Sequence, residues 1–459
     1  MDAPADARAV ERLRALVRIP TIARPTSGPG PRADRNAFEQ FIAALPGLYP
    51  RVHASLERER LGTDPEGTTG YTLLYRWAGS DPTGARTPTV LMAHFDVVAA
   101  TDEGWRHPPF AGELVEHEGE PVVWGRGAID DKGALAAVLE AVERLLEAGV
   151  TPRHDVLLLF GHDEEVAGTG ARAVVAALRE RGIRPALVLD EGGAIVEGVF
   201  PGLHEPAALV GVTEKGITTL RLRVEQHGGH AASPPPLTAT VRLARALLRL
   251  NRRPARSRLD ATTRTMIRTL GSRVRGPLGL VFRRVNLVAP LLVPVLRRRG
   301  AETAALLRTT RAVTELRAGH AANALPESAE ATVNIRIAPG ESVARAVDDV
   351  RRAIADDAVQ LTVLEPSEPA QVSPAHGPAW DDLTAAIDEI VPGLLVSPYV
   401  MMQASDARFL TPISDHVYRF TPFRLSAAER ACLHAIDERI RVRSYLEGVR
   451  VYEALLRRR

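Results

Sequence analysis

The sequence predicts an α/β fold with a parallel sheet, helices on its faces and a smaller α+β unit inserted into the chain. Short apolar runs at 89–93, 155–160 and 186–189 have the length and composition of buried strands. Amphipathic helices are predicted between these runs, over 133–148 and 171–181. The succession of strand, helix, strand, helix and strand is typical of a parallel α/β sheet.

A second pattern begins near residue 216 and predicts a different kind of sheet. Three segments alternate apolar and polar residues: 218–226, 311–317 and 329–337. This alternation is typical of antiparallel strands that keep one face in solvent. A helix is predicted beside them over 343–355. Together these segments predict an α+β domain.

The order of the two patterns places the second domain inside the first. We predict an inserted domain at residues 215–370 and a main domain made of residues 1–214 and 371–459. The tail from residue 380 to residue 459 is predicted to be strongly helical and to return to the main domain.

Composition limits the class of protein and its partners. The 459 residues are enough for two hydrophobic cores. A net charge of +2 gives no chain-wide attraction for nucleic acid, so no nucleic-acid partner is predicted. No uninterrupted apolar run is long enough to cross a bilayer. The single cysteine, Cys432, and a charged N-terminal segment without an apolar signal region predict a cytoplasmic location.

Residues 251–299 form an arginine-rich segment with thirteen arginines and one acid, Asp260. The segment contains an apolar run at 285–296 that proline and asparagine residues interrupt. We interpret it as a loop and helices packed on the inserted domain. The alternative is weak contact with a membrane surface or with an apolar substrate. If the run lines an acyl channel, a charge at Leu292 should impair long-acyl substrates more than acetyl ones.

Lysine is rare, because only Lys132 and Lys215 among the 58 basic residues are lysines. Both lie in short polar stretches, IDDKG and TEKG. This placement hints that these two positions need an ammonium group rather than a guanidinium.

Acidic residues and a histidine follow the predicted strands or precede a helix of the main domain, at the edge where open α/β sheets bind ligands. Any one of these acids could be a helix cap or a solvated turn. Asp96 lies two residues after His94, so its carboxylate can hold one imidazole nitrogen while the other binds a metal. The whole set predicts a metal site, because bound cations offset the repulsion among carboxylates. Its members are His94, Asp96, Asp130, Asp131, Glu164, Glu165 and Asp190.

Six ordered motifs carry a resemblance to a known family. They read AHFDVV, GRGAIDDKG, GHDEEVAGTGA, LDEGG, HGGHAASPP and NALPESAEATVNIRIAPG. In this order they resemble the M20 metallopeptidase family, and most of all the branch with Gly-X carboxypeptidase and the N-acyl amino acid hydrolases. The resemblance covers nearly the whole chain. It implies a zinc-peptidase-like catalytic domain with an inserted lid and dimerisation domain, and hence a homodimer.

The resemblance also implies a centre with two zinc ions, for which manganese or cobalt can substitute. The implied metal ligands are His94, a bridging Asp130, Glu165, Asp190 and His434 in LHAIDERI. Glu164 matches the general base of the family, and Asp96 matches the carboxylate that orients the histidine. Alanine follows His434 where this branch often has glycine, so the backbone there is expected to differ.

Residues of the inserted domain match groups that contact the substrate in this family. His230 matches a histidine that stabilises the oxyanion, often from the partner subunit. His227 lies three residues away, although the GHA placement favours His230. Asn323 and Arg336 match groups that hold the substrate backbone and carboxylate, and a solvated strand residue is the alternative for Arg336.

These inferences predict a di-zinc amidohydrolase or carboxypeptidase that cleaves a peptide or N-acyl amide bond next to a free carboxylate. N-acyl amino acids, including fatty-acyl ones, are the substrates we favour. A dipeptidase or short-chain deacylase with the same site is the alternative enzyme. Two readings without catalysis remain, namely a binding protein on the same scaffold and a docking protein that acts through residues 251–299.

Overall fold

The computed structural model describes residues 3–23, 34–62, 70–166, 169–198 and 200–459, without the side chains of residues 3, 301 and 302. Residues 167 and 168 of the GHDEEVAGTGA motif therefore lie outside the described residues. Within the described ranges the α-helices are α1 (Ala3–Val17), α2 (Arg35–Leu48), α3 (Pro50–Ser55), α4 (Lys132–Glu147), α5 (Thr169–Glu180), α6 (Ala239–Arg252), α7 (Ala261–Gly271), α8 (Gly276–Arg283), α9 (Val285–Arg298), α10 (Ala301–Leu306), α11 (Val343–Ile354), α12 (Pro378–Ile390), α13 (Ala427–Ala431) and α14 (Val442–Arg458).

The strands follow in chain order. They are β1 (Glu57–Leu61), β2 (Thr72–Trp77), β3 (Thr89–His94), β4 (Glu113–His117), β5 (Glu120–Trp124), β6 (Val156–Gly161), β7 (Leu187–Asp190), β8 (Ile195–Val196), β9 (Ala207–Glu214), β10 (Gly216–Glu225), β11 (Gly229–His230), β12 (Thr310–Ala318), β13 (Ala324–Leu325), β14 (Ser328–Ile337), β15 (Gln360–Ser367), β16 (Leu395–Met401), β17 (Val417–Arg419), β18 (Arg424–Leu425) and β19 (Arg439–Arg441). Short 3₁₀ helices lie at Pro82–Arg86, Glu164–Val166 and Asp406–Phe409.

A large sheet forms the centre of the structure. Its strand order is β1-β2-β6-β3-β7-β17-β9-β8-β18, and β16 pairs with β9. The three predicted strands of the main domain are β3, β6 and β7, and β3 pairs in parallel with both others. The predicted helices between them are α4 and α5. The predicted α/β fold class is confirmed.

Alternate residues of the central strands enter two separate hydrophobic clusters, because neighbouring side chains on a strand point to opposite faces. Leu91 and Leu158 lie in the cluster that contains α4, whereas Val90 and Leu157 lie in the cluster that contains α5. Both faces of the sheet are therefore covered by helices, which accounts for the uninterrupted apolar runs of these strands.

A small antiparallel sheet contains the alternating segments. Its order is β12-β14-β10-β15, and its buried face packs against α6 and α11 through residues such as Leu220, Val333 and Val350. The predicted strands at 218–226, 311–317 and 329–337 and the helix at 343–355 correspond to β10, β12, β14 and α11. The limits of the inserted domain, 215–370, stay a prediction.

The C-terminal tail is less helical than the sequence suggests. It contains α12, α13 and α14, but residues 395–425 contribute β16, β17 and β18 to the large sheet. The segment Leu395–Met401 carries valine and tyrosine, which fit a pleated surface, and it pairs in parallel with β9. Pairing with a neighbouring strand that is distant in sequence thus overrides the local preference that predicted helix.

The start of the arginine-rich segment contacts the small sheet and its helix, because Arg253 accepts a hydrogen bond from Arg311 of β12 and donates one to the carbonyl of Arg352 in α11. The helices α7, α8 and α9 instead share a hydrophobic cluster with Leu203 and with Ala207 of β9, beside the large sheet. Leu292 is buried in that cluster. None of the described helices could cross a bilayer alone, and α8 with α9 reaches that length only as a pair bent by 110°.

Two adjacent leucines of α9 allow a matched test of this packing. Leu292 is 9% exposed, whereas Leu291 is 77% exposed. We expect Leu292→Ala to lower the free energy of unfolding by about 2–4 kcal/mol, and Leu291→Ala to change it by less than about 0.5 kcal/mol. Urea denaturation of both variants measures the difference. Equal losses would show that α9 does not pack in this orientation.

Candidate metal centre

The ends of the central strands bring the predicted site residues to one edge of the large sheet. His94 is the last residue of β3, Glu164 and Glu165 follow β6, and Asp190 ends β7. Asp130 and Asp131 lie directly before α4. A carboxylate oxygen of Asp131 accepts the backbone N–H of His94 at 3.2 Å, which fixes the end of β3 to the start of α4.

The carboxylate of Asp130 lies between two imidazoles. Nε2 of His94 is 3.0 Å from Oδ1 of Asp130, and Nε2 of His434 is 3.1 Å from Oδ2. The same nitrogen of His434 is 3.1 Å from Oε1 of Glu165. Each oxygen of Asp130 therefore faces a different histidine, which is the arrangement that a bridging ligand between two cations requires.

Asp96 holds both His94 and the glutamate pair. Nδ1 of His94 lies 3.0 Å from the backbone carbonyl of Asp96 and 3.3 Å from its carboxylate. The two carboxylate oxygens of Asp96 accept the backbone N–H groups of Glu164 and Glu165 at 3.3 and 3.0 Å. The buried acid thus fixes the imidazole with Nε2 free for a cation and also anchors the 3₁₀ turn that presents the glutamates.

The two adjacent glutamates belong to two different groups of side chains. Glu165 offers an oxygen close to His94 and Asp130, and Glu164 offers one close to His94 and Glu191. Within each group the ligand atoms lie within 4.8 Å of one another. The two groups share His94, so the glutamate pair spans the whole centre.

Glu191, the neighbour of the predicted ligand Asp190, lies in the second of these groups. Asp190 is the last residue of β7, and its Oδ2 accepts the backbone N–H of Ala407 at 2.8 Å. Glu191 lies one residue past the strand, so its side chain takes the opposite direction and joins His94 and Glu164. This geometry makes Glu191 a second candidate ligand in LDEGG, and the assignment of Asp190 stays a prediction.

His434 reaches the centre through an unusual backbone. Its φ is +57°, in the left-handed region that few residues other than glycine adopt. The conformation directs the half-exposed imidazole at Asp130 and Glu165. Alanine at position 435 does not prevent this geometry, although this branch often has glycine there.

The carboxyl groups of the centre differ widely in acidity. Burial opposes ionisation of Asp130, but hydrogen bonds from His434 and His94 outweigh it and hold the pKa of Asp130 well below its usual range. Burial raises the pKa of Glu164, and the carboxylates of Asp406, Asp96 and Glu165 raise it further. Burial also raises the pKa of Glu191. Crowding of like charges therefore favours protons, or cations, between these groups.

The residues present fit a centre for two metal ions. Hydrogen bonds to Asp130 and Glu165 raise the pKa of His434 to about 10, so a positive charge is favoured between these side chains. Oε1 of Glu165 is buried and faces Nε2 of His434 at 3.1 Å. Imidazole nitrogens and carboxylate oxygens are ligands that zinc, manganese and cobalt share.

Glu438 is a residue of the site region that the sequence reading did not identify. Its fully buried carboxylate accepts the backbone N–H groups of Gly127, Ile129 and Asp130 at 2.8–3.0 Å and pairs with Arg126 at 2.6 Å. It holds the loop that carries Asp130. The sequence signal that could have identified Glu438 is its position four residues after His434.

Asp406 is a second residue of the site region that the sequence reading left without a role. Both of its carboxylate oxygens are buried without a hydrogen-bond partner among the described residues. Burial raises its pKa to about 8. It lies within electrostatic reach of Glu164 and Asp190, so its acidity depends on the charge of the centre.

The residues predicted on the inserted domain divide into two places. His230 and Asn323 are exposed and neighbour each other, because Ala231 donates its N–H to the carbonyl of Asn323 at 3.1 Å. Neither belongs to the metal-binding groups. Arg336 is half-buried on β14, and burial and then Arg408 lower its pKa, while Glu214 and Glu164 oppose the shift. Arg336 therefore lies within electrostatic reach of the centre.

Comparison with known proteins gives the family. The model of peptidase family M20/M25/M40 matches residues 90–458. The chain is 33% identical over 439 residues to the human N-fatty-acyl-amino acid synthase/hydrolase PM20D1, with 95% of this chain and 84% of that protein covered. It is 35% identical over 425 residues to the probable carboxypeptidase S-like 2 of Dictyostelium discoideum, with 92% and 79% covered.

Solved structures of low identity share the fold. An M20 family metallo-carboxypeptidase from Sulfolobus solfataricus matches with a TM-score of 0.70 at 14% identity, and 98% of each chain is covered. The family match and the relatives confirm the resemblance seen in the sequence and the prediction of an enzyme. The chain belongs to peptidase family M20/M25/M40 and is a metal-dependent amide hydrolase.

Proposed function

We propose that the protein is a di-zinc enzyme that hydrolyses N-acyl amino acids, including those with fatty acyl chains. The observation that carries the two-metal part is the Asp130 carboxylate, whose two oxygens face two different histidines. The proposed substrate class is supported by the human and mouse N-fatty-acyl-amino acid synthase/hydrolases. They match almost the whole chain at 33–34% identity.

Each zinc ion would have three protein ligands. His94, Asp130 and Glu191 would hold one ion, and Asp130, Glu165 and His434 would hold the other. When bound, the two ions would lower the pKa of water and polarise the scissile carbonyl. Asp96 keeps Nε2 of His94 directed at the centre by holding Nδ1.

Glu164 is proposed to carry the proton of the reaction. It would take a proton from the attacking water and give it to the nitrogen that leaves when the C–N bond breaks, which yields an acid and a free amino acid. Burial keeps the pKa of this carboxyl above its usual range, and bound cations would lower that pKa and so favour the carboxylate that accepts the proton.

The free carboxylate of the substrate is proposed to bind Arg336. A guanidinium can hold a carboxylate through two parallel hydrogen bonds. His230 and Asn323 would then stabilise the oxyanion and the substrate backbone from the partner subunit of a homodimer. This proposal accounts for the exposure of both residues in the single chain. The dimer and the cytoplasmic location stay predictions.

A second candidate substrate class is short peptides with a free C-terminal carboxylate. The relatives named carboxypeptidase S favour it, and carboxypeptidase S of Saccharomyces cerevisiae is 29% identical over 503 residues. The same two metal ions, Glu164 and Arg336 would serve both classes, so a comparison of substrates decides between them.

A substrate panel tests the proposal directly. We expect turnover of N-acyl amino acids to exceed that of matched dipeptides by roughly tenfold or more in kcat/KM, and a chelator to abolish both activities. Amine release from acetyl, octanoyl and oleoyl amino acids and from dipeptides, before and after zinc is restored, measures this. Activity that survives complete metal removal would refute a metal mechanism, and faster dipeptide cleavage would favour the second candidate.

Substitution of the two adjacent glutamates separates the base from a ligand. Glu164→Gln should retain both metal ions and lose about 10²–10⁴-fold in kcat, because only the proton carrier is removed. Glu165→Gln is the matched control and should lose metal. Metal analysis of the purified variants, together with kcat, gives the result. Normal turnover of Glu164→Gln would show that another group moves the proton.

Two further variants test which acid of LDEGG binds metal. We expect Glu191→Gln to weaken the binding of one zinc ion on the order of 100-fold, because a charged ligand is removed. Asp190→Asn should bind metal almost normally, because its amide oxygen can still accept the N–H of Ala407. Titration of each metal-free variant with zinc measures both affinities. The reverse ranking would identify Asp190 as the ligand.

A further inference from the structure

The helix α9 carries a second apolar face that the hydrophobic core does not use. Val285, Ala289 and Leu292 are buried against the neighbouring helices. On another face, Leu287 is 74% exposed, Leu291 77% and Val295 52%. Pro290 and Pro294 are exposed and fill the gaps between them at helical spacing. We name Leu287, Pro290, Leu291, Pro294 and Val295 the apolar stripe.

The preceding helix, α8, also exposes apolar residues. Leu278 is 41% exposed, Leu280 58% and Val281 38%. Single exposed leucines are common, but contiguous apolar surface on a water-facing helix marks a site of interaction. The core of this segment is already filled by residues such as Phe282 and Leu270, so the stripe has no packing role in the single chain.

Arginines without acidic partners flank the stripe at both ends. Residues 261–300 contain no Asp or Glu. Arg273 lies 3.8 Å from Glu205, whereas the flanking arginines have no carboxylate within ion-pair distance among the described residues. The flanking arginines are Arg275, Arg283, Arg284, Arg297, Arg298 and Arg299. Their charge is therefore available to an external anion.

We propose that α8 and α9 dock the protein on an anionic phospholipid surface. The apolar stripe enters the boundary between headgroups and acyl chains, and the flanking arginines contact the lipid phosphates. The helices lie in the interface and do not cross the bilayer. The 14 residues of α9 span about 21 Å, which is shorter than a hydrocarbon layer of about 30 Å. The bend of 110° between α8 and α9 prevents the two helices from crossing the layer as one straight span.

Charge and side-chain type favour lipid over other occupants. Nucleic-acid surfaces place aromatic rings beside basic groups for base stacking, but Phe282, the aromatic residue of this segment, is 3% exposed. A second copy of the chain in a two-fold contact would bring the same arginines close to each other. An anionic bilayer satisfies the apolar stripe and the arginines together. The inference rests on this surface alone and holds whatever the substrate class.

Vesicle flotation of the full-length enzyme tests the proposal. We expect binding to phosphatidylcholine vesicles with about 30% phosphatidylserine to be at least roughly tenfold tighter than to pure phosphatidylcholine, and to weaken in about 0.5 M salt. Leu287→Ser/Leu291→Ser should lower binding by at least tenfold, and so should Arg297→Glu/Arg298→Glu/Arg299→Glu. None of these residues belongs to the proposed site.

Matched controls separate docking from general effects. Val241→Ser/Leu248→Ser removes two exposed apolar residues from α6, and Arg8→Glu/Arg184→Glu/Arg345→Glu makes the same charge change at scattered exposed positions. Both controls should bind vesicles as the wild type does. Urea denaturation checks that every variant folds.

A fluorescent probe locates the contact. With Cys432→Ser as background, a polarity-sensitive label on Leu291→Cys should shift to shorter wavelength with anionic vesicles, and one on Leu248→Cys should not. Three results would overturn the proposal. They are equal binding to anionic and neutral vesicles, an equal loss of vesicle binding in the stripe variants and the scattered-arginine control, and binding to transfer RNA without binding to vesicles. A concentration-dependent dimer abolished by Leu287→Ser/Leu291→Ser, without vesicle binding, would assign the stripe to a second copy.

Discussion

The contact of one carboxylate with two imidazoles is the interaction on which the rest of the site depends. Asp130 faces His94 through one oxygen and His434 through the other, at 3.0 and 3.1 Å. These histidines lie at the end of a central strand and in a C-terminal loop, so Asp130 joins two distant parts of the chain. The cluster gathers more carboxyl groups than imidazoles, and only cations or protons can balance that excess.

Buried acids that are not proposed as ligands keep this arrangement in place. Asp96, Glu438 and Glu214 each direct a carboxylate at backbone N–H groups of loops that border the centre. Such bonds satisfy the acid and fix the loop at once, since a buried unpaired carboxylate would be strongly unfavourable. Precision at the centre is thus a property of the loops around it as much as of the ligands.

The sequence predicts what local patterns decide and misses what distant contacts decide. β3, β6 and β7 were predictable because buried runs bounded by helices leave few alternatives. The choice between Asp190 and Glu191 was not, because it depends on the residue at which β7 ends. A helix was expected where β16 pairs with β9. The role of His434 could be predicted only from the resemblance to the family, since no local pattern connects it with Asp130.

Lys215, one of the two lysines, connects the small sheet with α10, which follows the arginine-rich segment. Nζ of Lys215 is buried and donates to the carbonyls of Ala305, in α10, and Arg308, just after α10, at 2.6 and 2.8 Å. A compact ammonium fits between two carbonyls where a planar guanidinium would not. The preceding residue, Glu214, accepts hydrogen bonds from Ser405, which neighbours Asp406 at the centre. Glu214 and Lys215 therefore connect the loop beside the metal ligands to α10, and α10 shares a hydrophobic cluster with α9 of the proposed lipid-docking surface.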